Sequence, residues 1–189
     1  MSNTSEKIVI NREWAMPSSK TFLIRPIKDF IIKILDNVNG ILIDPFANEC
    51  SIKGNLSDNL KYISNDLDVN YDTDYHMDAT EFLHMFNDNS IDAILYDPPY
   101  SPRQVSESYK KLDMSVNMAT TQSSYWSKQK KEIARILKTG GKVITFGWNS
   151  GGIGKTNGFK IDEILLVAHG GWHNDTICTS ETKVFQHKN

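Results

Sequence analysis

Four consecutive residues, Asp97-Pro98-Pro99-Tyr100, combine a hydrogen-bond acceptor, two rigid rings and an aromatic face. They follow the apolar run Ile94-Leu95-Tyr96, which reads as a buried strand. Neither proline has a backbone N–H, and both hold φ near −65°, so the strand must stop there. A residue before proline is pushed out of the helical region. Asp97 is therefore held extended at the strand's carboxyl end, with Tyr100 a fixed distance beyond it. The arrangement suits a flat group carrying an amine: the carboxylate accepts its N–H bonds and the ring stacks on its face.

The rest of the chain must supply the scaffold. Pro26 suits the first turn of a helix, and Ile27, Phe30, Ile31, Ile34 and Leu35 follow at helical spacing, so 26–35 is an amphipathic helix. Ile41-Leu42-Ile43 is a short buried strand stopped by Asp44-Pro45, and Tyr62-Ile63-Ser64 a second, ending in Asn65-Asp66. Asp78, with Glu81 three residues on, forms a capping-box pattern for a helix to about Phe86. Strand 91–96 comes next, then a polar aperiodic stretch at 101–123 read as a mobile loop. A helix over 124–138 with Gly140 as its C-cap leads to strand 142–146, a glycine-rich loop at 148–158, and two consecutive strands at 161–167 and 176–185. Strands alternating with helices predict an α/β fold: a mostly parallel twisted sheet with helices on both faces and a C-terminal antiparallel strand pair at the edge. Asp44, Asp66 and Asp97 each fall at a strand's carboxyl end, the rim where such sheets bind ligands. Residues 1–13 read as a flexible arm, and 14–189 as a single domain.

Asp97-Pro98-Pro99-Tyr100 resembles the signature of S-adenosylmethionine-dependent amino-methyltransferases, chiefly the DNA adenine methyltransferases. The resemblance implies a Rossmann-like methyltransferase fold in which Asp97 and the Pro98 carbonyl accept from adenine's exocyclic amine, Pro99 stiffens the turn and Tyr100 stacks on the flipped base. Asp44-Pro45-Phe46-Ala47 is similar to the segment that opens the cofactor site of that family. Its two usual glycines are replaced by Asn48 and Cys50. Asparagine tolerates the left-handed conformation, whereas cysteine is expected to resist it. By the same resemblance Lys20, Thr21 and Phe22 wrap the methionine end of the cofactor, Asp66 accepts its ribose hydroxyls (Asp68 is the neighbouring alternative), and Asp78-Ala79 faces its adenine. The order of segments matches one permutation class of these enzymes, in a small form without a target-recognition domain.

Charge is unevenly spread. From Asp36 to Asp97 there are 13 acidic and 2 basic residues, a net of −11, and from Tyr100 to Lys160 there are 11 basic and 3 acidic, a net of +8. The basic half suits a polyanion. DNA is the expected partner, ahead of RNA, with Arg103, Lys110, Lys111 and Lys155 on phosphates and Trp148 and Asn149 bordering the base pocket. So few free loops imply relaxed sequence specificity, or further contacts from a homodimer. The two cysteines have no metal-like spacing, the five histidines none either, and no metal is expected. No secretory pattern or membrane-length apolar run is present, so a cytoplasmic protein is expected.

Two rival readings stand beside this one. Gly151-Gly152-Ile153-Gly154-Lys155-Thr156 looks like a phosphate-binding loop, but that pattern needs glycine where Asn149 stands, and Asn157-Gly158 follows in place of a helix. The segment therefore reads as a flexible basic loop. The other rival keeps the fold but changes the role: a nucleic-acid-binding protein without activity, or an enzyme for RNA adenine or a cytosine amine.

Overall fold

In the computed structural model of the chain, the described residues are 7–99 and 123–185. Seven strands form one sheet: β1 (Val9–Trp14), β2 (Gly40–Asp44), β3 (Leu60–Ser64), β4 (Ile91–Tyr96), β5 (Leu137–Gly147), β6 (Phe159–Ala168) and β7 (Thr176–Lys183). Their spatial order is β1-β6-β7-β5-β4-β2-β3. β3, β2, β4 and β5 are mutually parallel, and β7 runs antiparallel to both β5 and β6. The helices are α1 (Arg25–Leu35), α2 (Ala79–His84) and α3 (Ser123–Ile136).

Side-chain alternation along the strands divides the core into two layers. Leu42, Leu95 and Ile144 face the α1 side, with Ile27, Phe30 and Ile31 of that helix packed over them. Their sequence neighbours Ile43, Ile94 and Val143 face the other side and meet Phe82 and Leu83 of α2 and Ile133 and Ile136 of α3. α1 buries Ile27, Phe30, Ile31 and Leu35, a spacing of three and four residues that places them on one stripe. Asp78 caps α2 by accepting from the Thr80 N–H at 2.8 Å.

Two expectations are corrected. Residues 9–13 are not a loose arm, because β1 pairs in parallel with β6, from Val9 opposite Glu163 to Trp14 opposite Ala168. The polar sequence of this segment hides a strand whose side chains are exposed. The C-terminal pair is antiparallel as expected, yet β1 covers its outer edge. Helix α3 ends at Ile136, two residues early, and β5 starts at Leu137. Just past β3, Asn65 and Tyr75 form an isolated parallel bridge.

Candidate active site

From β2 the chain steps outward to β3 and later returns to the other side as β4, so β2 and β4 flank a topological switch point. Crevices beyond the strand ends at such a point are where open α/β sheets bind ligands. Two hollows lie along this rim. The first is lined by Ser19, Lys20, Thr21 and Phe22 ahead of α1, by Phe46, Ala47, Asn48, Glu49 and Ser51 after β2, and by Tyr71 and Asp97. The second, of about 430 Å³, is lined by Pro98, Pro99, Trp126, Lys130, Thr145, Phe146, Trp148, Asn149 and others. Its size is within the range of small-ligand pockets. Asp97 faces one hollow and the next two residues face the other. The 97–98 peptide is thus shared between them.

The prolines are held from α3. The Trp126 indole Nε1–H donates to the Pro99 carbonyl at 3.0 Å. One turn on, the Gln129 Oε1 accepts from the buried Tyr96 hydroxyl at 2.7 Å. Trp126 and Gln129 are three residues apart, so they share a helix face directed at the end of β4.

After β2 the backbone turns sharply. Asn48 and Cys50 both have left-handed φ, 46° and 50°. Cys50 thus adopts the conformation that it was expected to resist, and the loop keeps the shape that glycines normally allow. Three contacts hold it there: the Cys50 N–H donates to the Ala47 carbonyl at 2.8 Å, the Asn48 N–H to Asp66 Oδ2 at 2.9 Å, and the Asn48 side chain to the Phe46 carbonyl at 3.1 Å.

Asp44 lies fully buried beneath this turn. It accepts from the Tyr62 hydroxyl at 2.9 Å and from the Phe46 N–H at 3.2 Å. Burial is the main reason that its pKa is pushed up to about 7; those two hydrogen bonds oppose the rise, and the Asp97 and Asp66 charges add to it. Asp44 therefore feels both of the other carboxylates expected at neighbouring strand ends. Burial also raises the Cys178 thiol, with the Asp97 charge adding to the effect.

Of the expected cofactor residues, Lys20, Thr21, Phe22, Phe46 and Ala47 line the first hollow together with Asp97. Asp44, Pro45, Asp66, Asp78 and Ala79 do not line it. Asp66 is occupied in bracing the loop, accepting from Asn48 and, at 2.9 Å, from the Asp68 N–H. Asp78 serves as the α2 cap. Ser19, Glu49, Ser51 and Tyr71 were not singled out from sequence, and Asn48 was noted only as standing in place of a glycine. Glu49 pairs with Lys20 at 2.5 Å, joining two walls of the hollow. Trp148 and Asn149 line the second hollow, whereas Lys155 is exposed on a short 3-10 turn away from its lining. Tyr100, Arg103, Lys110 and Lys111 lie outside the described residues. Trp126, Gln129 and Lys130 were missed as site residues; their i, i+3, i+4 spacing on a helix just after the signature was the available signal.

The glycine-rich segment is not a flexible loop. The Glu181 carboxylate, buried on β7, accepts from the Ile153 N–H at 2.6 Å and the Gly154 N–H at 2.9 Å. The phosphate-loop likeness has a physical basis, a concave array of backbone N–H groups, but the anion that it holds belongs to the chain itself.

No protein-family model and no curated protein matches the chain by sequence. Solved structures do match by shape. TrmN from Thermus thermophilus aligns with a TM-score of 0.59 at 17% identity, covering 86% of this chain and 49% of that one, so the chain spans about half of TrmN's length. A Burkholderia thailandensis 1,6-didemethyltoxoflavin-N1-methyltransferase, with bound 1,6-didemethyltoxoflavin and S-adenosylhomocysteine, aligns at 0.57 and 9% identity, covering 85% and 78%. The PH0226 protein of Pyrococcus horikoshii OT3 aligns at 0.54 and 11%, covering 84% and 88%. Strand order, switch point and these likenesses agree that the chain has the Rossmann-like methyltransferase fold.

Proposed function

We propose that the protein is an S-adenosylmethionine-dependent methyltransferase acting on the exocyclic amine of adenine in DNA. The observation that carries this reading is the shared 97–98 peptide: Asp97 lines the hollow at the switch point, and Pro98 and Pro99 line the adjoining one. A group-transfer enzyme needs two such sites meeting at one acceptor.

The residues of the first hollow fit the cofactor chemically. Phe22, Phe46 and Tyr71 offer apolar and aromatic surface, while Ser19, Lys20, Thr21, Asn48 and Ser51 offer polar groups for an amino-acid end and a ribose. Asn48 and Cys50 give this loop the left-handed backbone that glycine adopts readily. When bound there, S-adenosylmethionine supplies an electrophilic methyl group.

The chain's own residues do the rest. An amine conjugated to an aromatic ring is a poor nucleophile, since its lone pair is delocalised. Hydrogen bonds from that amine to the Asp97 carboxylate and the Pro98 carbonyl favour a tetrahedral nitrogen. They also stabilise the positive charge that develops on it, and once the methyl group is transferred the proton passes from the nitrogen to solvent water. Trp126 and Gln129 keep these acceptors from moving. A base within a duplex is out of reach and must be flipped, at a cost of a few kcal/mol. Trp148, Phe146 and the two prolines give the second hollow flat apolar walls for it, and stacking of Tyr100 would offset part of the cost, about 1–3 kcal/mol per base. Lys130 at the rim, within the basic half of the sequence, favours a polyanion.

The test is to supply the protein with labelled S-adenosylmethionine and either unmethylated DNA or RNA of the same sequence, then identify the modified nucleoside. N6-methyladenine from DNA supports the reading. Label confined to RNA moves the substrate class, and label in neither, with the cofactor bound, leaves a binding protein.

A further inference from the structure

The 148–154 segment raises a mechanical problem. It carries Gly151, Gly152 and Gly154, so its unfolded freedom is large. Yet Trp148, Asn149 and Gly152 line the second hollow, and a wall must be fixed to orient a ligand. Gly147, the last residue of β5, lies opposite Ile177 on β7. From there the segment folds back over the sheet until Ile153 is buried beside Val143 and Phe159. What it meets is Glu181, four residues along β7 from Ile177, whose two oxygens take the Ile153 and Gly154 N–H groups. A side chain at position 152 would collide with that carboxylate: a Cβ there would lie 2.2 Å from one oxygen and 2.4 Å from the carboxyl carbon. The clamp and the glycine therefore require each other. Charge-assisted bonds of this kind are the stronger class; the one from Ile153 is buried and the one from Gly154 partly so.

We propose that Glu181 is a positioning residue for the reaction: by clamping the Gly152–Gly154 backbone it fixes Trp148 and Asn149 as the wall against which the target base is held. The inference rests on the reading of the second hollow as the base site. It assigns to Glu181 no contact with substrate or cofactor, and it gives the glycine-rich segment a role that a nucleotide-binding reading does not.

The experiment compares Glu181→Gln and Glu181→Ala with the wild type in the full chain. Glutamine keeps one acceptor in nearly the same volume, so this variant folds if any does. Expected for Glu181→Gln is a KM for adenine-containing DNA raised roughly tenfold, the equivalent of one charge-assisted hydrogen bond lost. Its affinity for S-adenosylhomocysteine should stay within about twofold of the wild type, since the first hollow is untouched. Hydrogen exchange at the Ile153 and Gly154 amides should be faster in both variants and fastest in Glu181→Ala. If those amides lose protection while the KM for DNA is unchanged, the clamp is structural only and the proposal is overturned. It is also overturned if cofactor affinity and DNA KM worsen together in proportion to the folded fraction. A wild type that binds cofactor but neither binds nor methylates DNA refutes the reading of the site itself, and the proposal with it. That outcome is recognised without any variant.

Discussion

The indole Nε1–H of Trp126 donates to the Pro99 carbonyl across 27 positions of sequence, at 3.0 Å. Proline stiffens this turn from within, and the indole fixes it from α3. Trp126→Phe keeps an aromatic ring, smaller than the indole, and removes the donor. Stability should fall by at least about 1 kcal/mol, as for one net hydrogen bond, with the lost ring volume adding to the loss. Activity should fall more, between roughly tenfold and a hundredfold, because small misplacements of catalytic groups are costly. Thermal melts and initial rates on the same preparation separate the two effects.

Cys50 stands in a conformation that costs an L-residue about 1–2 kcal/mol. Glycine removes that strain but adds unfolded-state entropy of roughly 0.5–1 kcal/mol. Cys50→Gly is therefore expected to stabilise the fold by about 0.5–1 kcal/mol, seen as a higher denaturant midpoint at unchanged slope. The Cys50 thiol also donates to the Asp72 carbonyl at 3.5 Å, and a loss of stability would mean that this contact outweighs the strain.

Asp44 makes stability depend on pH. Its pKa rises from the usual 3.8 to about 7 in the folded state, chiefly through burial. Between those values the folded state holds a proton that the unfolded chain has released, so unfolding free energy declines as pH rises from about 4 to about 7 and then levels off. Asp66 and Glu181, both raised chiefly by burial, act in the same direction. Asp44→Asn keeps an acceptor for Phe46 and cannot ionise. Relative to wild type it should gain stability as pH rises through this window, with a ceiling of about 4 kcal/mol for a shift of this size. Denaturant titrations at pH 5 and pH 8 measure the difference; parallel pH profiles for the two proteins would contradict it.

Much of this was legible in the sequence, for definite reasons. α1 announces itself because its apolar residues fall on one stripe, and β2 and β4 because short apolar runs end at Asp-Pro. The position of Asp97 followed from proline geometry alone. β1 was missed because an exposed edge strand needs no apolar alternation; Asn11, Arg12 and Glu13 look like tail residues until β6 is beside them. The hydrogen bonds that Asp66 makes were not legible, because sequence places a carboxylate at a strand end without saying which N–H groups reach it. Glu181 was invisible for the same reason: its partners lie 27 and 28 residues away and are backbone groups.

Binding to DNA should weaken steeply with salt, since each phosphate contact releases counterions. The 11 basic residues between Tyr100 and Lys160 are the source of the expected slope. The target should extend over no more than about two or three base pairs around the adenine, because few side chains beside the second hollow can reach base edges. Mapping methylated adenines after expression in a methylation-free host checks this, and a strict motif of about five base pairs or more would refute it.

The central claim is that Asp97 accepts the amine of an adenine presented from the second hollow. The direct measurement is single-turnover N6-methyladenine formation in DNA by the wild type and by Asp97→Asn, alongside calorimetry of S-adenosylhomocysteine. Asparagine is isosteric, so the hollow is kept while the charge is lost. The account predicts N6-methyladenine from the wild type and a rate lower by about 10²–10³-fold from the variant, with cofactor-product affinity changed far less than the rate. An Asp97→Asn protein that methylates at the wild-type rate, or a wild type that leaves adenine unmodified with the cofactor bound, would contradict it.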